Sequence, residues 1–216
     1  MTRAVIFDLD GTLADTPTAI AGLLTRVVGE QGVAVTPEQV APTIGKPLGP
    51  SIASLIGCLV EDRATADAVA RYRDLFDTEV LSRGSELLYP GVAEGLQSLQ
   101  EQGFGLAVAT SKISASAEKL FAATGIRSFF GPVIGNDMVE QGKPAPDMGL
   151  LAARELGMLP ERCTYVGDTV TDMQMAAAAG MTPLAVTYGV GSRHELLAHS
   201  TRCCDSFAGV LAALKA

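Results

Sequence analysis

Two carboxylates, Asp8 and Asp10, stand at the exit of an apolar run, Ala4-Val5-Ile6-Phe7-Asp8-Leu9-Asp10-Gly11-Thr12-Leu13. Four apolar residues, two of them β-branched, followed by turn formers, read as a buried strand. Acids two apart share a strand face if the strand runs straight. At ~4 Å and an effective dielectric near 20 they repel by about 4 kcal/mol, so a cation is the expected third party. Three further features have the same setting. Thr110 closes Gly105-Leu106-Ala107-Val108-Ala109 and is followed by Ser111-Lys112 and a helix, an arrangement of hydroxyl and free N–H groups suited to an anion. Lys143 sits in Gly142-Lys143-Pro144-Ala145-Pro146, and Asp168 and Asp172 follow the strand-like Cys163-Thr164-Tyr165-Val166-Gly167.

These groups need a scaffold, and the pattern supplies one. Outside residues 14–83, short apolar runs alternate with amphipathic stretches. Strands are expected at 4–7, 105–110, 132–135, 163–167 and 184–187. Helices are expected at 92–102, 113–124, 147–156, 171–179, 192–198 and 206–215. Such alternation predicts an α/β fold, a Rossmann-like, mainly parallel sheet with helices on both faces. In an open sheet of this kind ligands bind at the carboxyl ends of the strands, where all four features fall. Residues 15–83 break the rhythm. Helices are expected there at 18–30, 48–59 and 64–81, with Gly32, Pro37, Pro42, Pro47 and Pro50 at the joints. The predicted division is an α/β catalytic core, 1–14 and 84–216, carrying a helical insertion, 15–83.

Composition excludes several classes. With 216 residues the chain can bury a proper core, and 48% hydrophobic residues is ordinary for a globular protein. A formal charge of −8 argues against an extended nucleic-acid surface. No run approaches the ~18 apolar residues of a membrane span, and no signal peptide precedes the first strand, so a cytoplasmic protein is expected. Cys58, Cys163, Cys203 and Cys204 show no C-x-x-C spacing; Cys163 and the Cys203-Cys204 pair fall in strand-like segments, so buried thiols in a reducing cytoplasm are expected. His194 and His199 are five apart, the wrong spacing for two ligands on one helix face, and are read as surface residues. Gly189 and Gly191 lack the third glycine of a dinucleotide fingerprint.

Taken together and in order, Asp8-x-Asp10-Gly11-Thr12, Thr110-Ser111, Lys143 and Gly167-Asp168-Thr169-x-x-Asp172 resemble the four signature motifs of the haloacid dehalogenase superfamily. The insertion resembles that superfamily's small α-helical cap. Asp15, Gly142-Lys143-Pro144-x-Pro146 and Ala185-Val186-Thr187-Tyr188-Gly189 are similar to its phosphoglycolate phosphatase-like branch. The middle residue of Thr110-Ser111-Lys112 departs from the asparagine usual in that branch.

The resemblance implies an Mg²⁺-dependent phosphatase acting on a small phosphorylated metabolite, with 2-phosphoglycolate the first candidate. Asp8 would be the nucleophile that forms an aspartyl-phosphate and Asp10 the general acid/base. Asp8, Asp168 and the main-chain carbonyl of Asp10 would hold Mg²⁺, with Asp172 assisting through a water. Thr110, Ser111 and Lys143 would bind the phosphoryl oxygens. Lys46, in Gly45-Lys46-Pro47-Leu48, would meet an anionic leaving group from the cap. An acid at position 10 points to phosphate esters or anhydrides rather than to dehalogenation or phosphonate cleavage, and no match to the cap segment of a β-phosphoglucomutase is found. The alternatives are a pyrophosphatase or sugar-phosphate phosphatase on the same core, or a catalytically idle binding or scaffold protein. An idle protein would be expected to have lost Asp8, Asp10, Lys143 or Asp168, and all four are present.

Overall fold

The computed structural model describes residues 3–215. Six parallel strands form one sheet in the order β3-β2-β1-β4-β5-β6. They are β1 (Ala4–Phe7), β2 (Gly105–Thr110), β3 (Val133–Gly135), β4 (Cys163–Gly167), β5 (Thr182–Val186) and β6 (Cys203–Cys204). From β1 the chain builds outward through β2 to β3, then returns to the other side of β1 to add β4, β5 and β6. The reversal lies between β1 and β4, in register from Ala4 opposite Cys163 to Phe7 opposite Val166. The carboxyl ends of these two strands therefore open onto the crevice that such a topology leaves for a ligand.

The pleat sorts each strand's side chains into two cores. Val5 and Phe7 of β1, with Val108 and Val166, pack on α5 (Val92–Glu101), α6 (Ser114–Thr124) and α10 (Phe207–Lys215). Ala4 and Ile6, with Ala107, Ala109 and Tyr165, meet α7 (Asp147–Glu155), α8 (Val170–Ala178) and α9 (Arg193–Leu197). The second core is built largely of alanine and methionine, so these helices approach the sheet closely. Tyr165 is its largest residue, and its hydroxyl donates to the Ala109 carbonyl at 2.7 Å and lies 3.2 Å from Asp172 Oδ1.

Residues 15–83 hold α1 (Pro17–Glu30), α2 (Pro37–Val40), α3 (Leu48–Ile56) and α4 (Arg63–Leu75), and no strand. The segment departs and returns through adjacent backbone: Asp15 N–H donates to the Leu87 carbonyl at 2.7 Å and Tyr89 N–H to the Leu13 carbonyl at 3.1 Å. Its buried Leu24, Ile52, Tyr72 and Phe76 are continuous with the first core.

Several boundaries differ from expectation. The helix expected at 64–81 ends at Leu75 and passes into a wider turn, Phe76–Val80, and a tighter one, Leu81–Leu87, that bends at Gly84. Periodicity carried the expected helix through a stretch that has to turn back to the sheet. The helix expected at 48–59 stops at Ile56, where Gly57 takes φ +82°, a left-handed helix end open to glycine. The short α2 was not expected; a proline-led turn leaves too little periodicity to see. Strand β5 begins two residues early and includes Pro183. Only Cys163 of the four thiols is buried; Cys58, Cys203 and Cys204 are half-buried, the last two because β6 is a two-residue edge strand, and all four are free. His194 and His199 are exposed. No helix among the described residues is long and apolar enough to cross a membrane.

Because the Tyr165 hydroxyl is buried between β2 and Asp172, Tyr165→Phe removes a donor that the Ala109 carbonyl has no water to replace. The expected outcome is a loss of about 1–2 kcal/mol in urea unfolding, with the slope of the transition unchanged.

Candidate active site

Asp8 continues the alternation of β1 and is held in line by its N–H, which donates to the Val166 carbonyl at 2.9 Å. The chain turns at Gly11, whose φ is +81°, and the two carboxylates acquire different partners. Asp8 Oδ1 is 2.8 Å from Lys143 Nζ. Asp10 Oδ1 accepts from the Thr16 hydroxyl at 2.5 Å, and Oδ2 is 3.1 Å from Lys112 Nζ. The strand ends at Phe7, so the condition of a straight strand through both acids is not met, yet Asp8 and Asp10 line one cavity.

The carboxylates that do come together are Asp8, Asp168 and Asp172, which can place one oxygen each within 4.8 Å of the others. Asp168 follows β4 directly, and Asp172 is reached through the first turn of α8. There the Thr169 hydroxyl and N–H both donate to Asp172 Oδ2, at 2.6 and 3.0 Å. Asp168 is fully buried, and its oxygens accept from the Thr12 hydroxyl and the Val190 N–H, both at 2.9 Å. Lys143 is the counter-charge, 2.8 Å from Asp8 and 2.6 Å from Asp172, with its side chain only 2% exposed.

Three buried acids share one buried lysine, and Asp168 has no cation partner among the described residues. Each like-charged pair costs about 3 kcal/mol at that spacing and an effective dielectric near 20. Burial drives the Asp8 carboxyl upward; Lys143 offsets part of this, Asp172 and Asp10 add to it, and its pKa rises from 3.8 to about 7. Burial, with Asp172 and Asp8, likewise pushes the Asp168 carboxyl up, and the Val190 N–H and Thr12 hydroxyl offset part of it. Burial works against the Lys143 charge, but Asp172 and Asp8 outweigh it and hold the ammonium above its usual range. An all-oxygen set with surplus negative charge fits a hard divalent cation, and no histidine or cysteine belongs to it.

Glycine makes the cluster possible. A Cβ on Gly11 would collide with the Asp168 carboxylate, lying 2.7 Å from its Cγ, in a conformation that side chains already resist. A Cβ on Gly189 would strike Asp168 and the Gly11 carbonyl, and Gly191 N–H donates to the Asp168 carbonyl at 2.9 Å. The glycine pair after β5 therefore packs against the acid cluster, a use that a search for nucleotide fingerprints does not reveal.

A cavity of about 210 Å³ opens between this cluster and the helical segment. Asp8, Asp10 and Thr110 line it from the sheet side, and Lys46, Arg73 and Phe76 from the helices. It is smaller than the ~300–1,000 Å³ of drug-sized sites. Ser111 also faces it, half-buried, whereas Lys46 is exposed at its rim. Thr110 is buried, its hydroxyl accepting from the Lys112 N–H at 3.3 Å. Lys143, Asp168 and Asp172 lie behind the cavity wall, joined to it through Asp8. Thr12, Thr16 and Lys112 carry no sequence signal of these contacts: Thr12 stands in a motif dominated by its acids, Thr16 lies beyond that motif, and Lys112 shows only as a neighbour of Ser111.

The haloacid dehalogenase-like hydrolase family matches residues 5–186. The chain belongs to this family. A protein of Dickeya dadantii (strain 3937) named "Probable phosphatase IndB" is 40% identical over 218 residues, covering 100% of this chain and 95% of that one. A phosphoglycolate phosphatase of Salmonella typhimurium (strain LT2) is 33% identical, covering 98% and 92%. Among solved structures, CbbY (mutant D10N) of Rhodobacter sphaeroides, in complex with xylulose-1,5-bisphosphate, has a TM-score of 0.80 and 28% identity, with 96% of each chain covered. The parallel sheet and its order are thus those of a haloacid dehalogenase-like hydrolase, and its named relatives place the chain among the phosphatases.

Like-charge crowding makes a specific outcome follow. Asp168→Asn can keep a carbonyl toward Val190 and donate to Thr12, while removing one buried charge. Without metal at pH 7.5 this variant is expected to melt above the wild type, and added Mg²⁺ to raise the melting temperature of the wild type alone. The pH dependence has a defined sign. A carboxyl whose folded pKa lies above its unfolded value favours the folded state most at low pH, and that contribution is lost as pH rises through the folded value. Thermal melting of the metal-free wild type is therefore expected to fall between about pH 4 and 7, and Asp8→Asn to flatten that decline.

Proposed function

We propose that this phosphatase is Mg²⁺-dependent and hydrolyses a small phosphate monoester through a covalent phosphate on Asp8, with 2-phosphoglycolate as the first candidate substrate. The observation that carries the reading is Lys143 bound simultaneously to Asp8 and Asp172, beside Asp168, at the inner end of a small cavity. Phosphate monoesters are anions, so a carboxylate can attack one only where positive charge offsets both.

Asp8, Asp168, the Asp10 main-chain carbonyl and Asp172, directly or through a water, would hold Mg²⁺. When bound, the ion supplies the charge that keeps these carboxylates ionised and neutralises phosphoryl oxygens. Asp8 attacks phosphorus through a carboxylate oxygen, and the ester P–O bond breaks. Asp10 gives its proton to the departing oxygen. A water then attacks the phosphoryl group as Asp10 takes back a proton, and the bond to Asp8 breaks to release phosphate. Thr110 and Ser111 donate to phosphoryl oxygens, and Lys143 balances the charge that Asp8 gains and loses.

The helical segment 15–83 acts as a cap over the cavity, excluding water and reading the leaving group. Lys46 and Arg73 on its face suit an anionic leaving group, and the relative named phosphoglycolate phosphatase supports that choice. A second reading, a sugar-phosphate phosphatase, is favoured by the sugar bisphosphate in the CbbY structure. Four free thiols agree with a reducing cytoplasm.

Hydrolysis of 4-nitrophenyl phosphate is expected to require Mg²⁺ and to stop with EDTA; metal-independent turnover would overturn the mechanism. Asp8→Asn is expected to fold normally and lose at least about 10³-fold in kcat. A panel of phosphorylated metabolites ranked by kcat/KM decides between the two substrate readings. Lys46→Ala is expected to raise KM for 2-phosphoglycolate far more than for 4-nitrophenyl phosphate. Equal effects on both would remove Lys46 from substrate selection.

A further inference from the structure

Both carboxylate oxygens of Asp10 are occupied, and both partners belong to or rest on the helical segment. Thr16, which donates to Oδ1 at 2.5 Å, is the residue before α1, in the strand of backbone that leads into that segment. Lys112, 3.1 Å from Oδ2, lies on the sheet side after β2, but its ammonium sits over the ring of Phe76, 4.3 Å from the centroid. Phe76 is buried and opens the wide turn Phe76–Val80 that ends α4.

A lysine has four rotatable bonds, a strongly hydrated charge and no preferred geometry of its own. At an exposed site it would fix nothing. Here its side chain is 13% exposed and that of Asp10 10%, and the aromatic face leaves the ammonium little room away from the acid. Lys112 N–H also donates to the Thr110 hydroxyl at 3.3 Å, so its backbone is tied to the phosphate-side wall.

We infer that Lys112 is a positioning residue for Asp10: it holds the carboxylate toward the leaving oxygen, and Phe76 of the cap holds Lys112 in place. The Lys112–Phe76 contact is separate from the hydrogen bond that Thr16 makes to Asp10. This rests on the reading of Asp10 as general acid, so the test must separate the two.

The value of kcat/KM reports steps up to release of the alcohol, before the phosphorylated Asp8 is hydrolysed. An alkyl leaving group needs Asp10's proton, whereas 4-nitrophenolate leaves without one. Lys112→Met is expected to lower kcat/KM by about 10²-fold for the alkyl phosphate ranked first in the metabolite panel. For 4-nitrophenyl phosphate the expected loss is less than about threefold, the same split expected of Asp10→Asn. Lys112→Arg is expected to recover most of the loss, and Phe76→Ala to show a smaller loss with the same split. Adding Lys112→Met to Asp10→Asn is expected to cost nothing further on the alkyl phosphate. If Asp10→Asn discriminates between the substrates but Lys112→Met lowers both equally or neither, the inference is overturned and the general-acid reading stands. If Asp10→Asn itself fails to discriminate, both are overturned. Matching circular-dichroism melts of the variants exclude misfolding as the cause of a uniform loss.

Discussion

Three carboxylates are buried against one another at the mouth of the sheet, and a single buried lysine answers them. Everything else in the molecule is arranged around that imbalance. A protein whose net stability is of order 5–15 kcal/mol cannot hold several uncompensated charges without structure dedicated to them. The dedication is visible in hydrogen bonds: Thr12 and the Val190 N–H on Asp168, Thr169 on Asp172, Lys143 bridging Asp8 and Asp172. What remains is excess negative charge open to a cation and next to a cavity. Under the proposed function, that surplus charge is what a bound cation would offset, allowing an anionic ester to approach Asp8.

Sheet topology explains why the acids meet there. Asp8 and Asp168 follow neighbouring strands on the two sides of the reversal between β1 and β4. Glycine then lets backbone approach the acids: Gly11 and Gly189 lie against each other and against the Asp168 carboxylate. The alanine- and methionine-rich core beneath serves the same end, since Tyr165 spans it to join β2 to Asp172. Rigid support and close approach are what a cluster of like charges needs to hold one geometry.

The helical segment is joined to the sheet by adjacent backbone at residues 13–15 and 87–89. It contributes Lys46, Arg73 and Phe76 to a cavity whose chemical floor is Asp8, Asp10 and Thr110. Chemistry and recognition thus come from different parts of the chain. In the proposed reading, phosphoryl transfer belongs to the strand ends and selection of the leaving group to the helices that line the other side of the cavity.

Most of the sheet side of this division is legible in the amino-acid order. Apolar runs ended by acids or hydroxyls locate Asp8, Thr110 and Asp168, because buried parallel strands must be apolar and their exits must turn. Lys143 is visible through the prolines that frame it. Less of the helical segment is legible. Periodicity carried one helix through Phe76–Leu87, where the chain bends back to the sheet, and proline-led α2 left no periodic signal. The partners of Asp10 could not be read either. Thr16 and Lys112 lie 6 and 102 positions from it, and Phe76 meets Lys112 only through packing of the helices on the sheet. The order of residues by itself determined which groups stand at strand exits, since a local pattern of burial and turning sets that. Tertiary structure alone decided which of those groups share a site and which are parted. That depends on strand order, on the turn at Gly11 and on close backbone approach, which are contacts between residues remote in the chain.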